Sequence, residues 1–192
     1  LSRAYRNLVI RTVAALRLDD ETNMHLALRV YDLIQFENID YARWYVNLIK
    51  KVHGADRAEF HFKATKAVVL YLYKVMAIKD EIFVAHLLTS VEKRNRDYER
   101  YKVDPKRGDQ VVYRHINRPE FTVFGFTFRF HMVTSDWQLN MMKRMKFLRK
   151  LLPAWHAREK AFRDWYIDLV QKFHYQGKAS YEAYVRALEV PE

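Results

Sequence analysis

Apolar residues recur every three to four positions along most of this chain, which is the period of an amphipathic helix. Residues 2–16 carry the first such stripe, and two more follow at residues 24–34 and 41–49. Gly54 predicts the end of the third helix, because glycine is common just after a helix C-terminus. From residue 56 to about 101 the helical period continues without proline or glycine, which predicts one long helix or two helices with a kink.

The period changes to two after residue 102, where β-forming residues alternate along the chain. Strands are predicted at residues 110–115 and 121–131, joined by a turn over 116–120. This pattern indicates a β-hairpin packed on helices. Four phenylalanines form its predicted buried face: Phe124, Phe126, Phe128 and Phe130.

Helical spacing returns over residues 139–152, and Pro153 ends or bends that helix. Another helix is predicted at residues 155–174, and Ser180 is predicted to cap a short last one. No internal repeat or obvious linker divides the chain. We therefore expect a mainly α fold, a single helical domain over residues 1–192 with one inserted β-hairpin at about residues 110–131.

The composition excludes several kinds of chemistry within this segment. The 192 residues contain no cysteine and only four glycines, so thiolate nucleophiles, iron–sulfur ligation and glycine-rich phosphate loops are not expected. The lack of cysteine fits a cytoplasmic protein, and no apolar run is long enough to cross a bilayer. Because the chain does not begin with methionine, we expect a fragment of a longer protein.

The formal net charge of +11 indicates either a well-solvated surface or an acidic partner, such as nucleic acid, an anionic membrane or an acidic protein. The most one-signed stretch contains no acidic residue from Leu139 to Arg158. On a continuous helix, Lys143, Lys146 and Lys150 would share one face, opposite a methionine stripe. These three lysines are the predicted partner-docking residues.

Two polar residues stand out in the long helical region. At 100° per residue, Lys79 and His86 fall on the apolar face of a helix, while Asp80 and Glu81 point away. A buried cation needs a partner, so we expect Lys79 and His86 to belong to a polar network in the core. The alternative is a ligand-binding or catalytic pair, although about 10.5 Å would separate them along the helix axis.

Two further patterns are weak. The aromatic strand at residues 124–130 suggests a base-stacking platform, but the basic residue and glycine that such RNA-binding strands require are missing. The eight histidines include no His-Glu-x-x-His arrangement, and His156 with Glu159 lacks a visible third ligand. No metal site is predicted.

The order of short motifs resembles a known family. The segment 79–87, which reads Lys-Asp-Glu, then Val-Ala and Leu, is similar to the Tyr-Lys-Asp-Glu-Tyr-Glu-Val-Ala-Arg-Leu segment of an accessory domain in indolepyruvate:ferredoxin oxidoreductases. Residues 29–32 and 40–45 resemble its aromatic and Tyr-Ala motifs, and residues 188–192 its Leu-Pro-Glu motif. The chain departs at residues 35–37, where Gln-Phe-Glu replaces Tyr-Gln-Asp, and at Lys150-Leu151, where the family has Gly-Thr.

This resemblance implies a role as well as a parent protein. Such oxidoreductases use thiamine diphosphate and iron–sulfur clusters to decarboxylate 2-oxoacids oxidatively and to reduce ferredoxin, and the resemblance places those cofactors in other domains or subunits. The chain would be a non-catalytic accessory domain that packs against them or docks acidic ferredoxin. Two alternatives stay open: a basic nucleic-acid-binding helical module, which is the less favoured partner class, and an enzyme centred on Lys79 and His86.

Overall fold

The computed structural model describes residues 2–117, 120–123, 126–129, 132–152 and 154–189, and the side chains of these residues outside 115–132. It is mainly helical with short antiparallel strands, which confirms the predicted fold class. The α-helices are α1 Ser2–Leu16, α2 Asp20–Phe36, α3 Ile39–Ala55, α4 Lys63–Met76, α5 Glu81–Leu88, α6 Val91–Tyr101, α7 Asp136–Met142, α8 Leu148–Leu151, α9 Ala157–Gln171 and α10 Lys178–Leu188. Single 3-10 turns lie at Ala58–Phe60 and Pro105–Arg107.

The chain forms two compact units. Unit 1 comprises residues 1–78 and 153–192, and unit 2 comprises residues 79–152. Unit 2 is thus inserted, in sequence, between the two segments of unit 1. The organisation of residues 1–192 as one domain stays a prediction.

Unit 1 is a helical bundle in which α2, α3 and α4 pack on one another and α9 and α10 pack on α4. Short polar side chains start its helices: Asp19 accepts a hydrogen bond from the Thr22 N–H, and Asn38 accepts from the Asp40 and Tyr41 N–H groups. The stripe predicted at residues 41–49 lies in its core, but the predicted apolar face of α2 is partly wrong, because Met24 and Leu28 are 57% and 50% exposed. Fully buried core residues include Leu26, Val30, Leu33, Ile49, Val68, Leu72, Val170 and Leu188.

Buried hydroxyl groups also connect the helices of unit 1. The Tyr45 hydroxyl of α3 donates to the Val69 carbonyl of α4 over 2.6 Å, and the Tyr166 hydroxyl of α9 donates to the Leu188 carbonyl of α10 over 2.7 Å. Burial raises the pKa of both tyrosines, so they remain neutral donors at any physiological pH. Their rings fill the core while their hydroxyls are satisfied.

The predicted long helix over residues 56–101 is wrong, because three helices lie there in place of one or two. The helix α4 ends at Met76, and α5 and α6 begin anew after Asp80 and Ser90. The Asp80 carboxylate accepts from the Phe83 N–H, and the Ser90 hydroxyl accepts from the Lys93 N–H. N-terminal caps therefore divide this region without proline or glycine.

Four short strands form the predicted β-element: β1 His115–Asn117, β2 Glu120–Val123, β3 Phe126–Arg129 and β4 Met132–Thr134. The strands β1 and β4 pair antiparallel, as do β2 and β3, and both ladders keep the same register. The predicted turn or short loop over 116–120 is wrong, because residues 116, 117 and 120 belong to strands. The predicted buried phenylalanine face lies outside the described side chains.

Two helix predictions near the end of the chain also differ from the structure. The helix expected over residues 139–152 is divided into α7 and α8 by turns at residues 143–147. Ser180 lies within α10, which begins at Lys178, so it is not the cap.

Within the described residues, no helix is long and apolar enough to cross a membrane.

Candidate functional site

The buried charge in the Lys79–Asp80 region is the aspartate. Lys79 is exposed, whereas Asp80 keeps only 3% of its surface accessible. The Asp80 carboxylate caps α5 and also binds Arg149 at two points, with Arg149 Nε 2.5 Å from Oδ2 and Nη2 2.9 Å from Oδ1. This bidentate pair joins the start of α5 to α8 within unit 2.

Backbone conformation explains why the predicted core role of Lys79 is wrong. The chain leaves α4 at Met76 and is extended at Asp80, with φ −71° and ψ 167°. Successive side chains of an extended segment point to opposite sides. Ile78 and Asp80 are accordingly buried and Lys79 lies outside, so Lys79 and His86 form no core network with each other.

His86 lies near the last turn of α5 and is half-buried. Its ring stacks on Phe83, with centroids 6.2 Å apart and planes inclined by 5°. Burial lowers the pKa of His86 below its ordinary value, and the positive charges of Lys143 and Lys146 lower it further, while Glu92 opposes them. The structure thus brings His86 close to two of the predicted docking lysines.

The predicted docking lysines do not share one helix face, because the turns between α7 and α8 interrupt the helix. Lys143 is half-buried and donates to the Thr89 hydroxyl over 3.3 Å. Lys146 is half-buried, and Lys150 on α8 is exposed. Arg149 in the same segment is neutralised by Asp80. Lys143 and Lys146 are therefore grouped around the end of α5, and Lys150 lies on α8.

Large apolar side chains are exposed alongside these lysines, a feature that the sequence analysis missed. Trp137 is 67% exposed, Met141 58%, Phe147 55% and Leu151 67%. We call these residues, together with Lys143, Arg144, Lys146 and Lys150, the 137–151 surface. The available signal was the spacing of four between Trp137 and Met141, which puts both on the face of α7 opposite the buried Leu139.

Comparison with known protein families places the chain. Residues 22–192 match a family described only as a family of unknown function (DUF6537). The chain belongs to this family. No curated protein and no solved structure matches it. The family description assigns no activity, so the functional argument for this member rests on its own side chains.

The side chains at this site can bind a partner through charge and through apolar contact. Its described groups are cations, exposed apolar side chains and one imidazole whose lowered pKa favours the neutral form. Among the described residues, no group of three or more His, Asp or Glu could hold a metal ion. The arrangement suits an anionic partner surface with apolar groups of its own.

Proposed function

We propose that the chain is an accessory domain of a cytoplasmic, thiamine-diphosphate-dependent 2-oxoacid:ferredoxin oxidoreductase of the indolepyruvate type, and that it docks an acidic partner. The observation that supports docking is the one-signed segment around α7 and α8. Lys143, Lys146 and Lys150 lie in a stretch, 139–158, without any acidic residue. The resemblance of residues 79–87 and 188–192 to that enzyme family supports the choice of parent enzyme and of ferredoxin as the partner.

Electrostatics gives this surface a role in association. A basic patch accelerates encounter with an acidic protein, because the long-range field steers the approach, and salt screens the effect. The lysines of the 137–151 surface supply such a field, reinforced by a chain charge of +11. We therefore assign them to the capture and orientation of ferredoxin.

The same proposal assigns cofactor chemistry to other parts of the enzyme. Iron–sulfur clusters are held by cysteine thiolates, and this chain contains no cysteine. The clusters would therefore be bound by the neighbouring domains or subunits against which the accessory domain packs, and the family resemblance assigns thiamine diphosphate to them as well. The chain contributes position and partner recognition.

The experiment is ferredoxin reduction by the full-length enzyme after charge reversal of Lys143, Lys146 and Lys150 to glutamate. We expect the second-order rate at low salt to fall on the order of tenfold or more, with the difference shrinking as salt is raised. The matched control reverses three exposed lysines of unit 1, Lys50, Lys51 and Lys178. It changes net charge equally and should leave most of the rate intact.

An equal rate for wild type and the 143/146/150 variant at every salt concentration would rule out docking at these lysines.

The nucleic-acid alternative is tested with labelled duplex and single-stranded DNA. Binding that falls linearly in a log–log salt plot and is lost in the same variant would favour it. Circular dichroism of each variant confirms that the helices are retained.

A further inference from the structure

The charges of the 137–151 surface do not explain its exposed apolar side chains. Resting on the proposed docking function, we propose that this surface recognises an acidic protein partner through apolar anchors, Trp137 and Phe147, together with the lysines of the same segment. The partner would present carboxylates around apolar side chains of its own. The electrostatic field of the lysines would guide the approach of such a partner, whereas the burial of apolar side chains would stabilise the complex.

The apolar residues are exposed in pairs. Trp137 and Met141 are four residues apart on α7, and Phe147 and Leu151 are four apart at α8, so each pair lies on one side of its helix. Each of the four keeps more than half of its surface accessible. Leu139 supplies the buried contact of α7. The outward pairs are thus not needed to fill a core, and apolar side chains exposed next to one another are available to an interaction partner.

Charge selects the class of partner. The segment contributes cations and no anion over residues 139–151, so an acidic surface meets it without like-charge repulsion. Arg149 is held by Asp80 with only 10% of its side chain exposed, which leaves one of the two arginines of the segment to contact a ligand. Arginine binds phosphate through two parallel hydrogen bonds, and the segment has few arginines available for such binding. This favours carboxylates over phosphates as the groups that the partner presents.

The form of the surface favours a protein over a membrane or a nucleic acid. Helices that lie in a membrane interface are continuous and amphipathic, whereas α7 has seven residues and α8 four, with turns between them. Nucleic-acid bases stack on aromatic rings, but Met141 and Leu151 are aliphatic. Aliphatic and aromatic anchors ringed by charge are typical of the centre and rim of a protein interface.

Ferredoxin binding to the full-length enzyme provides the test, with dissociation constants measured by calorimetry from about 50 to about 200 mM salt. Truncation of a central tryptophan commonly weakens an interface by 2 kcal/mol or more, so we expect Trp137→Ala to bind about 30-fold more weakly at every salt concentration. Its salt dependence should stay that of wild type. Phe147→Ala should act in the same direction and serves as an independent second variant.

The matched control is Trp165→Ala, since Trp165 is also half-exposed but lies on α9 of unit 1. It should bind as wild type. The lysine variant should show the complementary behaviour, a reduced salt dependence with most of the salt-independent affinity kept. Partial recovery in Trp137→Phe would further support apolar anchoring.

Three outcomes would overturn the inference. If Trp137→Ala and Phe147→Ala bind as wild type while the lysine variant binds weakly, the assignment of apolar anchors is wrong and the proposed docking function stands. If none of the variants changes ferredoxin binding, both proposals fail. If the tryptophan variant loses binding only to phosphatidylserine-containing vesicles or only to DNA, the surface serves that partner and not an acidic protein.

Discussion

The two units differ in the partners of their buried polar groups, since the buried carboxylate of unit 2 is paired with a cation and that of unit 1, Asp56, accepts hydrogen bonds from neutral donors. In unit 1, neutral tyrosine hydroxyls donate to backbone carbonyls, as Tyr41 does to Met76 and Tyr45 to Val69. In unit 2, a charged pair, Asp80 and Arg149, takes that place. Removing one partner of a neutral hydrogen bond costs less free energy than leaving a buried charge without its partner. Unit 2 therefore depends on a single contact more than unit 1 does.

The two units also differ in how many described apolar side chains they bury. Most of the fully buried apolar side chains among the described residues belong to α2, α3, α4, α9 and α10 of unit 1. In unit 2, the buried apolar side chains outside residues 115–132 are Ile82, Phe83, Ala85 and Leu139. The helix α6 buries none of its residues. Unit 2 thus combines a small described core with an apolar exterior, which is typical of an element built to present a surface.

The largest expected effect comes from breaking the pair in unit 2. Arg149→Ala leaves the Asp80 carboxylate buried without its cation, which typically costs about 3–5 kcal/mol. We expect the amide protons of α5 and α8 to exchange much faster with solvent. Those of α3 in unit 1 should keep their protection, which hydrogen–deuterium exchange with mass spectrometry measures element by element.

An exposed ion pair provides the control for this prediction. Arg43 lies 2.6 Å from Asp40, with 55% and 78% of the two side chains accessible. Arg43→Ala should cost less than about 1 kcal/mol. Unchanged exchange of α5 in Arg149→Ala would contradict the dependence of unit 2 on its buried pair.

Unit 1 should lose less when one of its hydroxyls is removed. The Tyr181 hydroxyl donates to Asp56 Oδ1 over 2.8 Å and accepts from the Ala64 N–H over 3.0 Å. Asp56 keeps three further donors, two from Thr65 and one from Arg57. We expect Tyr181→Phe to lower the free energy of unfolding by about 2 kcal/mol, because a hydrogen bond to a charged group is lost.

Chemical denaturation measures this change, and Tyr101→Phe provides the comparison because Tyr101 is 67% exposed. That control should shift the midpoint by little. A loss in Tyr181→Phe as large as that in Arg149→Ala would remove the distinction between the two units, since losing one of several donors to a buried carboxylate would then cost as much as losing its cation.

Local signals in the sequence were enough for the regular parts of the fold. The first helix covers the stripe predicted at residues 2–16, because such a stripe is set by neighbouring residues. The break at residues 77–80 contains neither proline nor glycine, so these two helix-stop signals do not predict it. Asp80 followed by Glu81, and Ser90 followed by Glu92, carry the cap signal that predicts new helices.

The site was harder to predict because its defining contact is not local. Asp80 and Arg149 are 69 residues apart in sequence, and no periodicity links them. Helical spacing puts Lys79 on the apolar face, but residue 79 lies between α4 and α5. In an extended segment, a shift of one residue exchanges the buried side for the exposed side. Nothing in the sequence links His86 to the lysines 143 and 146. They come close to one another because α5 packs on α7.

The smallest expected effect is a pH dependence confined to unit 2. Burial, Lys143 and Lys146 hold the pKa of folded His86 below its ordinary value of 6.5. The unfolded chain therefore binds a proton between these two values while the folded chain does not. Stability is thus fully present above about pH 6.5 and falls as the pH drops, by at most about 1.4 kcal/mol per pH unit for one proton.

His86→Gln isolates this contribution because the variant cannot titrate there, although the opposing Glu92 and both lysines remain. Between about pH 7 and pH 5, hydrogen exchange in α5 should accelerate more in wild type than in the variant, after correction for intrinsic exchange rates. The exchange of α3 should be equal in both proteins. A steeper acid loss in His86→Gln would mean that protonation stabilises folded His86, and the lysines would then not face its ring.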